Sequence, residues 1–227
     1  SAFAVAKSAT SCCLVPANPN IMDTYIKICG ITSRNGAAMA AASLADAIGL
    51  MFYEPSPRFV SLESAENIAA AIPESIQKVG VFVNAEPDYV REAIDRCGLD
   101  VAQFHGDESP EYCAQFETKV WKAFRIRDEE SLRALPPYET DAWLLDSYVK
   151  GQPGGTGEKF NWDLAVAAKE LERPILLAGG LTAANVADAV RHVRPFGLDV
   201  SSGVESAPGR KDPDKIHDFI YAAKTAL

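Results

Sequence analysis

The sequence lacks several patterns that would assign it to a common class of protein. No run of about 18 apolar residues occurs, because residues 36–52 are interrupted by Ser43 and Asp46, and we predict no membrane-spanning helix. No dense cluster of lysine or arginine occurs, and 31 acidic residues outnumber 22 basic ones. A nucleic-acid partner is therefore not expected, since it requires a basic surface. A small anionic ligand is not excluded by this composition, because backbone N–H groups can bind one.

Patterns for metal binding and disulfide bonding are missing as well. The five cysteines are odd in number and form no CxxC motif, and the three histidines form no HExxH motif. We expect no disulfide framework and no dedicated metal site. A reducing compartment such as the cytoplasm fits this cysteine usage.

Residues 1–22 differ in composition from the rest of the chain. They are rich in serine and alanine, and no acidic residue precedes Asp23. We interpret them as an N-terminal extension, disordered or non-native, followed by a single domain over residues 23–227. The alternative is a remnant of a transit peptide, which would place the protein in a plastid. One lysine and no arginine in the segment weigh against that alternative.

Short apolar, β-rich runs alternate with amphipathic helical stretches from Tyr25 onward. The predicted strands are 25–31, 47–52, 78–83, 99–104, 119–124, 141–146, 174–179 and 196–201. The predicted helices are 34–45, 62–71, 87–97, 110–116, 129–135, 163–171, 183–191 and 214–224. Such alternation predicts a parallel sheet, and eight β-then-α units predict closure into an α/β fold of the (β/α)8 TIM barrel type.

The ends of the predicted helices agree with this barrel. Ser33, Thr182 and Pro213 stand at helix caps or in first turns. The alternative is an open doubly wound sheet, whose usual GxGxxG after the first strand is replaced here by CGITSR.

In such a barrel the chemistry lies where the strands end, and the first strand ends in Lys27-Ile28-Cys29. Side chains alternate along a strand, so Lys27 and Cys29 are predicted to face the barrel interior while Ile26 and Ile28 face the helices. An ammonium group at Lys27 would favour the thiolate form of Cys29. The alternative is a small buried cysteine with a purely structural role.

Three further strand ends carry polar side chains. Arg58 follows two prolines after the second strand and can present its guanidinium to a carboxylate, although a solvated arginine is the alternative. His105 is a general acid or base, a hydrogen-bond donor, or a structural histidine. Asp146 closes an apolar strand, where a carboxylate is costly to bury without a function. The role of Asp199, inside the last strand, stays open.

Glycine-rich turns follow the last three strands. The segment 151–157 is predicted to be a mobile lid over a ligand, with a plain flexible loop as the alternative. After strands seven and eight, small residues leave backbone N–H groups accessible, as in the recurrent phosphate site of (β/α)8 barrels. Tight turns without a ligand are the alternative. The candidate phosphate-binding residues are Gly179, Gly180, Ser202 and Gly203.

Eight motifs in register give the chain a resemblance to the phosphoribosylanthranilate isomerase family of tryptophan biosynthesis. The motifs are KICGIT (27–32), SPR with FVS (56–61), VGVFVN (79–84), QFHG (103–106), LLD (144–146), GGTG (154–157), AGGL (178–181) and DVSSGVE (199–205). The family usually has QLHG where this chain has QFHG, an apolar exchange that affects no proposed role.

This resemblance implies a fold, a reaction and a set of residue roles. The family is a (β/α)8 barrel that converts N-(5'-phosphoribosyl)anthranilate into 1-(2-carboxyphenylamino)-1-deoxyribulose 5-phosphate, an Amadori rearrangement, without a cofactor. Carried over by motif, Cys29 is the general base and Asp146 the general acid. Arg58 binds the anthranilate carboxylate, and the turns at 179–180 and 202–203 bind the phosphate. The remaining expected substrate-binding residues are Lys27, His105 and Gly155.

Two other functions stay open at the level of sequence. One is another phosphosugar barrel enzyme, such as an epimerase or the related aminoaldose isomerase of histidine synthesis. The Cys–Asp pair of this chain weighs against that isomerase, because its family resemblance implies an Asp–Asp pair. The other is a barrel that binds a phosphorylated ligand without catalysis. The expected partner is a small phosphosugar, and the expected assembly is a homodimer or a monomer. Whether the chain is part of a fused enzyme also stays open.

Overall fold

A computed structural model describes residues 24–146 and 162–227. The N-terminal extension and the segment 151–157, with Gly155, lie outside the described residues. The barrel strands are β1 (Tyr25–Cys29), β2 (Ala47–Met51), β3 (Gln77–Phe82), β4 (Val101–Phe104), β5 (Lys119–Arg125), β6 (Ala142–Asp146), β7 (Ile175–Ala178) and β8 (Gly197–Val200). They form a closed barrel in sequence order, and each neighbouring pair is parallel, including β1 with β8. The (β/α)8 prediction is confirmed, and an open sheet is excluded because the barrel closes on itself.

A helix follows each barrel strand. The helices are α1 (Arg34–Ala42), α2 (Leu62–Ala69), α3 (Pro87–Cys97), α4 (Pro110–Cys113), α5 (Glu129–Leu132), α6 (Trp162–Lys169), α7 (Val186–Val193) and α8 (Pro213–Lys224). Ser33 caps α1 by accepting a hydrogen bond from the backbone N–H of Gly36, and Pro213 is the first residue of α8. Both predicted helix starts are therefore confirmed.

The predicted cap at Thr182 is wrong, because a turn comes before the helix. The Thr182 carbonyl accepts hydrogen bonds from the backbone N–H groups of Asn185 and Val186. The Asn185 side chain in turn accepts one from the N–H of Thr182. Helix α7 consequently begins at Val186, with Asn185 as its N-cap.

A short element after β8 is absent from the sequence-based prediction. A 3-10 helix over Ser202–Val204 leads into an antiparallel hairpin of β9 (Glu205–Ala207) and β10 (Arg210–Lys211), which precedes α8. This hairpin places Glu205 and Lys211 beside the C-terminal end of the barrel, where both are buried.

Two apolar layers hold the fold together. The barrel interior holds one cluster of buried side chains, including Val79, Val101, Trp121, Leu144 and Leu176. A second, larger cluster lies between the strands and the helices. Ile26 and Ile28 belong to the outer layer, as alternation along β1 predicts. In the described part of the chain, no helix is long and apolar enough to cross a membrane.

Candidate active site

The strand ends bring most of the predicted site residues to one face of the barrel. Because all eight strands are parallel, Cys29, His105, Asp146 and the turns after β7 and β8 lie around its C-terminal end. Asp146 ends β6, which is separated from β1 by β7 and β8 around the ring. The prediction that these residues share one face is confirmed. No group of three or more histidine, cysteine, aspartate or glutamate residues that could hold a metal ion occurs within 24–146 and 162–227.

Lys27 forms a buried ion pair with Asp199, whose role the sequence left open. The two residues face each other in the β1–β8 register, and Lys27 Nζ lies 2.8 Å from Asp199 Oδ1. Burial by itself lowers the pKa of Lys27, but Asp199 and Cys29 together outweigh it, so the pKa is raised and the ammonium is retained. Asp199 thus holds a charged lysine inside the barrel.

The thiol of Cys29 lies next to this ammonium group. Gly49 of β2 pairs with Cys29 of β1. A Cβ added at Gly49 would lie 2.9 Å from Cys29 Sγ and 3.0 Å from Lys27 Nζ. Both polar atoms therefore occupy the space that glycine leaves open. Gly49 is a site residue that the motif analysis missed, since a lone glycine within a strand gives no signal of what lies across from it.

The pKa of Cys29 is raised above the ordinary value for a thiol, although the neighbouring ammonium group of Lys27 lowers it. Burial raises its pKa, Lys27 and Lys211 lower it, and Asp199 raises it. The net pKa is raised, because the cost of burying an anion exceeds the attraction of the cations. The sign of the Lys27 effect agrees with the prediction, but its size does not decide the protonation state.

Lys27→Met tests this electrostatic arrangement. Removing the cation is expected to raise the pKa of Cys29 further, so activity that depends on the thiolate should rise only at higher pH than in the wild type. It also leaves Asp199 buried without its cation, which costs about 3–5 kcal/mol of stability. The pH profile of kcat/KM and the urea midpoint measure the two effects. The double variant with Lys27→Met and Asp199→Leu should recover stability, because it removes both buried charges. A pH profile of kcat/KM that does not move in Lys27→Met would show that Lys27 does not control the pKa of Cys29.

Arg58 is not a solvated arginine, because one edge of its guanidinium group donates two hydrogen bonds to the Glu205 carboxylate. Its Nε and Nη2 donate to the Glu205 carboxylate at 2.8 and 2.6 Å. Lys211 Nζ donates to the same carboxylate at 2.8 Å. Burial alone raises the pKa of Glu205, but the hydrogen bonds from Arg58 and Lys211 reverse this and lower it. The guanidinium is thus fixed in orientation, an arrangement that the isolated SPR motif does not reveal.

The charges beside Cys29 leave an excess of positive charge. Three cations pair with only two carboxylates: Lys27 with Asp199, and both Lys211 and Arg58 with Glu205. A site with this balance favours an anionic ligand over a neutral one.

His105 and Asp146 are in direct contact. His105 Nε2 lies 3.2 Å from Asp146 Oδ2, and both side chains are partly exposed. On its other side, His105 Nδ1 lies 3.4 Å from Nε2 of Gln103, which is completely buried. The structure therefore joins the two strand ends, β4 and β6, through one histidine.

A buried ion pair holds the loop that carries His105. Lys122 Nζ donates to the carbonyl of Gly106 at 2.7 Å and lies 3.1 Å from Glu108 Oε2. Glu108 accepts hydrogen bonds from the backbone N–H groups of Asn84 and Gly106. These contacts tie the loops after β3 and β4 to β5 and hold the backbone next to His105.

The two glycine-rich turns are adjacent. Gly179 and Gly180 both have positive φ angles, 82° and 65°, and a Cβ added at Gly180 would meet nothing within 4 Å. A Cβ at Gly203 would collide with the Leu181 carbonyl oxygen, so glycine is required for the two turns to approach. Their proximity supports the predicted pair of turns, while their affinity for phosphate stays a prediction.

Comparisons with known proteins give the relationships of the chain. A family model described as N-(5'phosphoribosyl)anthranilate (PRA) isomerase matches residues 26–222. N-(5'-phosphoribosyl)anthranilate isomerase of Citrifermentans bemidjiense is 53% identical over 201 residues, covering 88% of this chain and 97% of that relative.

Solved structures agree with the sequence relatives. The crystal structure of phosphoribosyl anthranilate isomerase from Thermotoga maritima aligns with a TM-score of 0.84 and 39% identity, covering 88% of this chain and 98% of its own. A second structure, of the isomerase in complex with reduced 1-(o-carboxyphenylamino)-1-deoxyribulose 5-phosphate, aligns with a TM-score of 0.81 and 37% identity over 88% and 98% of the two chains. By family model, sequence and fold, the chain belongs to the phosphoribosylanthranilate isomerase family, aldose–ketose isomerases of tryptophan biosynthesis.

Proposed function

We propose that the chain rearranges N-(5'-phosphoribosyl)anthranilate to 1-(2-carboxyphenylamino)-1-deoxyribulose 5-phosphate, with Asp146 as general acid and Cys29 as general base. The observation that carries this proposal is the placement of the two groups. The carboxyl group of Asp146 and the thiol of Cys29 stand at the ends of two strands of one barrel. Asp146 contacts the imidazole of His105, and Cys29 interacts with the ammonium group of Lys27. The relative in complex with a reduced form of that product supports the choice of substrate.

The first step is opening of the sugar ring. Asp146 donates a proton to the ring oxygen while the anthranilate nitrogen forms a C=N bond to C1, which gives a Schiff base. His105, in contact with Asp146, orients the carboxyl group. Asp146 must therefore be protonated when the substrate binds and ionised after the ring opens.

The second step is removal of the C2 proton. The Schiff base makes this proton acidic, and the thiolate of Cys29 accepts it to give an enolamine, which tautomerises to the ketone. The thiol of Cys29 first releases its own proton to solvent, and the cations of Lys27 and Lys211 stabilise the thiolate that remains. No external oxidant or reductant is required, because the reaction only moves hydrogen within the substrate.

The anionic ends of the substrate bind on either side of the reacting carbons. The Arg58 guanidinium, already oriented by Glu205, binds the anthranilate carboxylate, and the turns at 179–180 and 202–203 bind the phosphate through backbone N–H groups. Holding both ends places C1 and C2 between acid and base, which is catalysis by positioning.

Arg58→Ala should mainly weaken substrate binding. Losing a charge-assisted hydrogen bond of about 1.5–3 kcal/mol raises KM roughly 10- to 100-fold, with a smaller change in kcat. Initial rates over a range of substrate concentrations measure both constants. Arg133→Ala, which removes an exposed arginine next to α5, is the matched control and should behave as wild type. An unchanged KM in Arg58→Ala would remove the carboxylate contact from the proposal.

Turnover of two substrates separates the proposed reaction from its nearest alternative. The purified chain is expected to consume N-(5'-phosphoribosyl)anthranilate and to leave the aminoaldose substrate of the histidine-pathway isomerase unchanged. Preferential turnover of the second compound would instead favour the sister reaction. Binding of the reduced product analogue without turnover of either compound would favour a non-catalytic binder.

A further inference from the structure

Gln103 is a buried polar residue to which the proposed mechanism assigns no role. It lies on β4 and alternates with Val101, whose side chain belongs to the apolar barrel interior. Its side chain is fully buried, and its Oε1 atom has no hydrogen-bond partner among the residues that the structure describes. A buried amide oxygen without a donor destabilises the folded protein, so packing alone does not explain a glutamine at this position.

The amide of Gln103 ends a chain of three polar groups. Gln103 Nε2 lies 3.4 Å from His105 Nδ1, and His105 Nε2 lies 3.2 Å from Asp146 Oδ2. A neutral imidazole has one N–H donor and one acceptor nitrogen, so the chain can be polarised in only two ways. Which nitrogen of His105 carries the proton is therefore linked to the proton on Asp146.

The two polarities correspond to the two forms of the general acid. When Asp146 is ionised, His105 donates from Nε2 to the carboxylate, and Nδ1 accepts from the Gln103 amide nitrogen. When Asp146 is protonated, its O–H donates to Nε2, and Nδ1–H must then donate to the Gln103 amide oxygen. Rotating the amide by about 180° exchanges the two atoms at the position facing Nδ1.

We propose that Gln103 is a positioning residue whose amide matches the tautomer of His105 to the proton on Asp146, and so supports proton transfer by Asp146 in both directions. The proposal rests on the proposed function, in which Asp146 is the general acid. Glutamine suits this position because its end group carries a donor and an acceptor of similar shape. A carboxylate could only accept a hydrogen bond from Nδ1–H, and an apolar side chain could do neither.

A double-mutant cycle in kcat tests the proposal. Gln103→Met keeps the length of the side chain and removes both polar atoms, and it should lower kcat about tenfold while KM stays within about twofold. In the Asp146→Asn background the same change should have little further effect on kcat, because there is no longer an acid to support. Residual rates in this background are measured at raised enzyme concentration.

Controls separate positioning from a general loss of structure. Gln77→Met makes the same substitution at the N-terminal end of β3, where Gln77 accepts a hydrogen bond from Tyr25, and should leave kcat unchanged. Affinity for the reduced product analogue, measured by calorimetry, should be unchanged in Gln103→Met.

The outcomes also distinguish this inference from the proposed function. Near-normal kcat in Gln103→Met, or an equal loss in both backgrounds, would overturn the positioning role alone. Near-normal kcat in Asp146→Asn by itself would overturn the assignment of the general acid.

Discussion

Cys29→Ala is expected to lower kcat by about 10²- to 10⁴-fold, the usual contribution of a general base. Alanine cannot accept the C2 proton, so the Schiff base would form and then fail to rearrange. The affinity for the reduced product analogue should change little, because Arg58 and the glycine-rich turns remain in place. Stopped-flow loss of substrate fluorescence measures the rate, and calorimetry measures the affinity.

A second buried cysteine provides the matched control for this variant. Cys97 is also buried, at the end of α3, and its pKa is raised to about 11 by burial. Cys97→Ala removes a thiol of the same size from the helix layer and should cost some stability without changing kcat. Equal losses of kcat in both variants would mean that the effect of Cys29→Ala is structural.

Asp146→Asn is the change with the second large expected effect. Asparagine keeps the shape of the side chain and can hydrogen-bond to His105, but it cannot donate a proton to the ring oxygen. We expect kcat to fall by about 10²- to 10⁴-fold with binding of the product analogue retained. Single-turnover experiments at high enzyme concentration measure the remaining rate.

The control for Asp146 lies just before the start of the same strand. Asp141 precedes β6 at the opposite end of the barrel, and its carboxylate accepts a hydrogen bond from the backbone N–H of Val120. Asp141→Asn should keep kcat near the wild-type value. If Asp146→Asn also keeps most of its activity, another group must protonate the ring oxygen.

The sequence predicts the barrel well because each strand and each helix is a local pattern. Alternation along β1 correctly places Lys27 and Cys29 inside the barrel and Ile26 and Ile28 outside it. The shortest helices are shorter than the pattern predicts: α4 ends at Cys113 and α5 at Leu132. Segments of about seven residues are marginal as helices, so tertiary packing decides where they end.

The contacts that control the site lie beyond the reach of local patterns. Lys27 meets Asp199 across 172 positions of sequence, and Arg58 meets Glu205 across 147. Glu205 stands in a motif that the sequence analysis recognised, but its partner is visible only once β8 and the hairpin after it are placed beside β1. The protonation of Cys29 escapes prediction for the same reason, since it depends on how far burial outweighs the neighbouring cations.

The most direct test of the account is turnover of freshly prepared N-(5'-phosphoribosyl)anthranilate by wild type, Cys29→Ala and Asp146→Asn side by side. All three proteins would first be shown to be folded by circular dichroism. The account predicts rapid loss of the anthranilate-type fluorescence with the wild type and almost none with either variant. No loss of fluorescence with a folded wild type, or rapid loss with either variant, would contradict it.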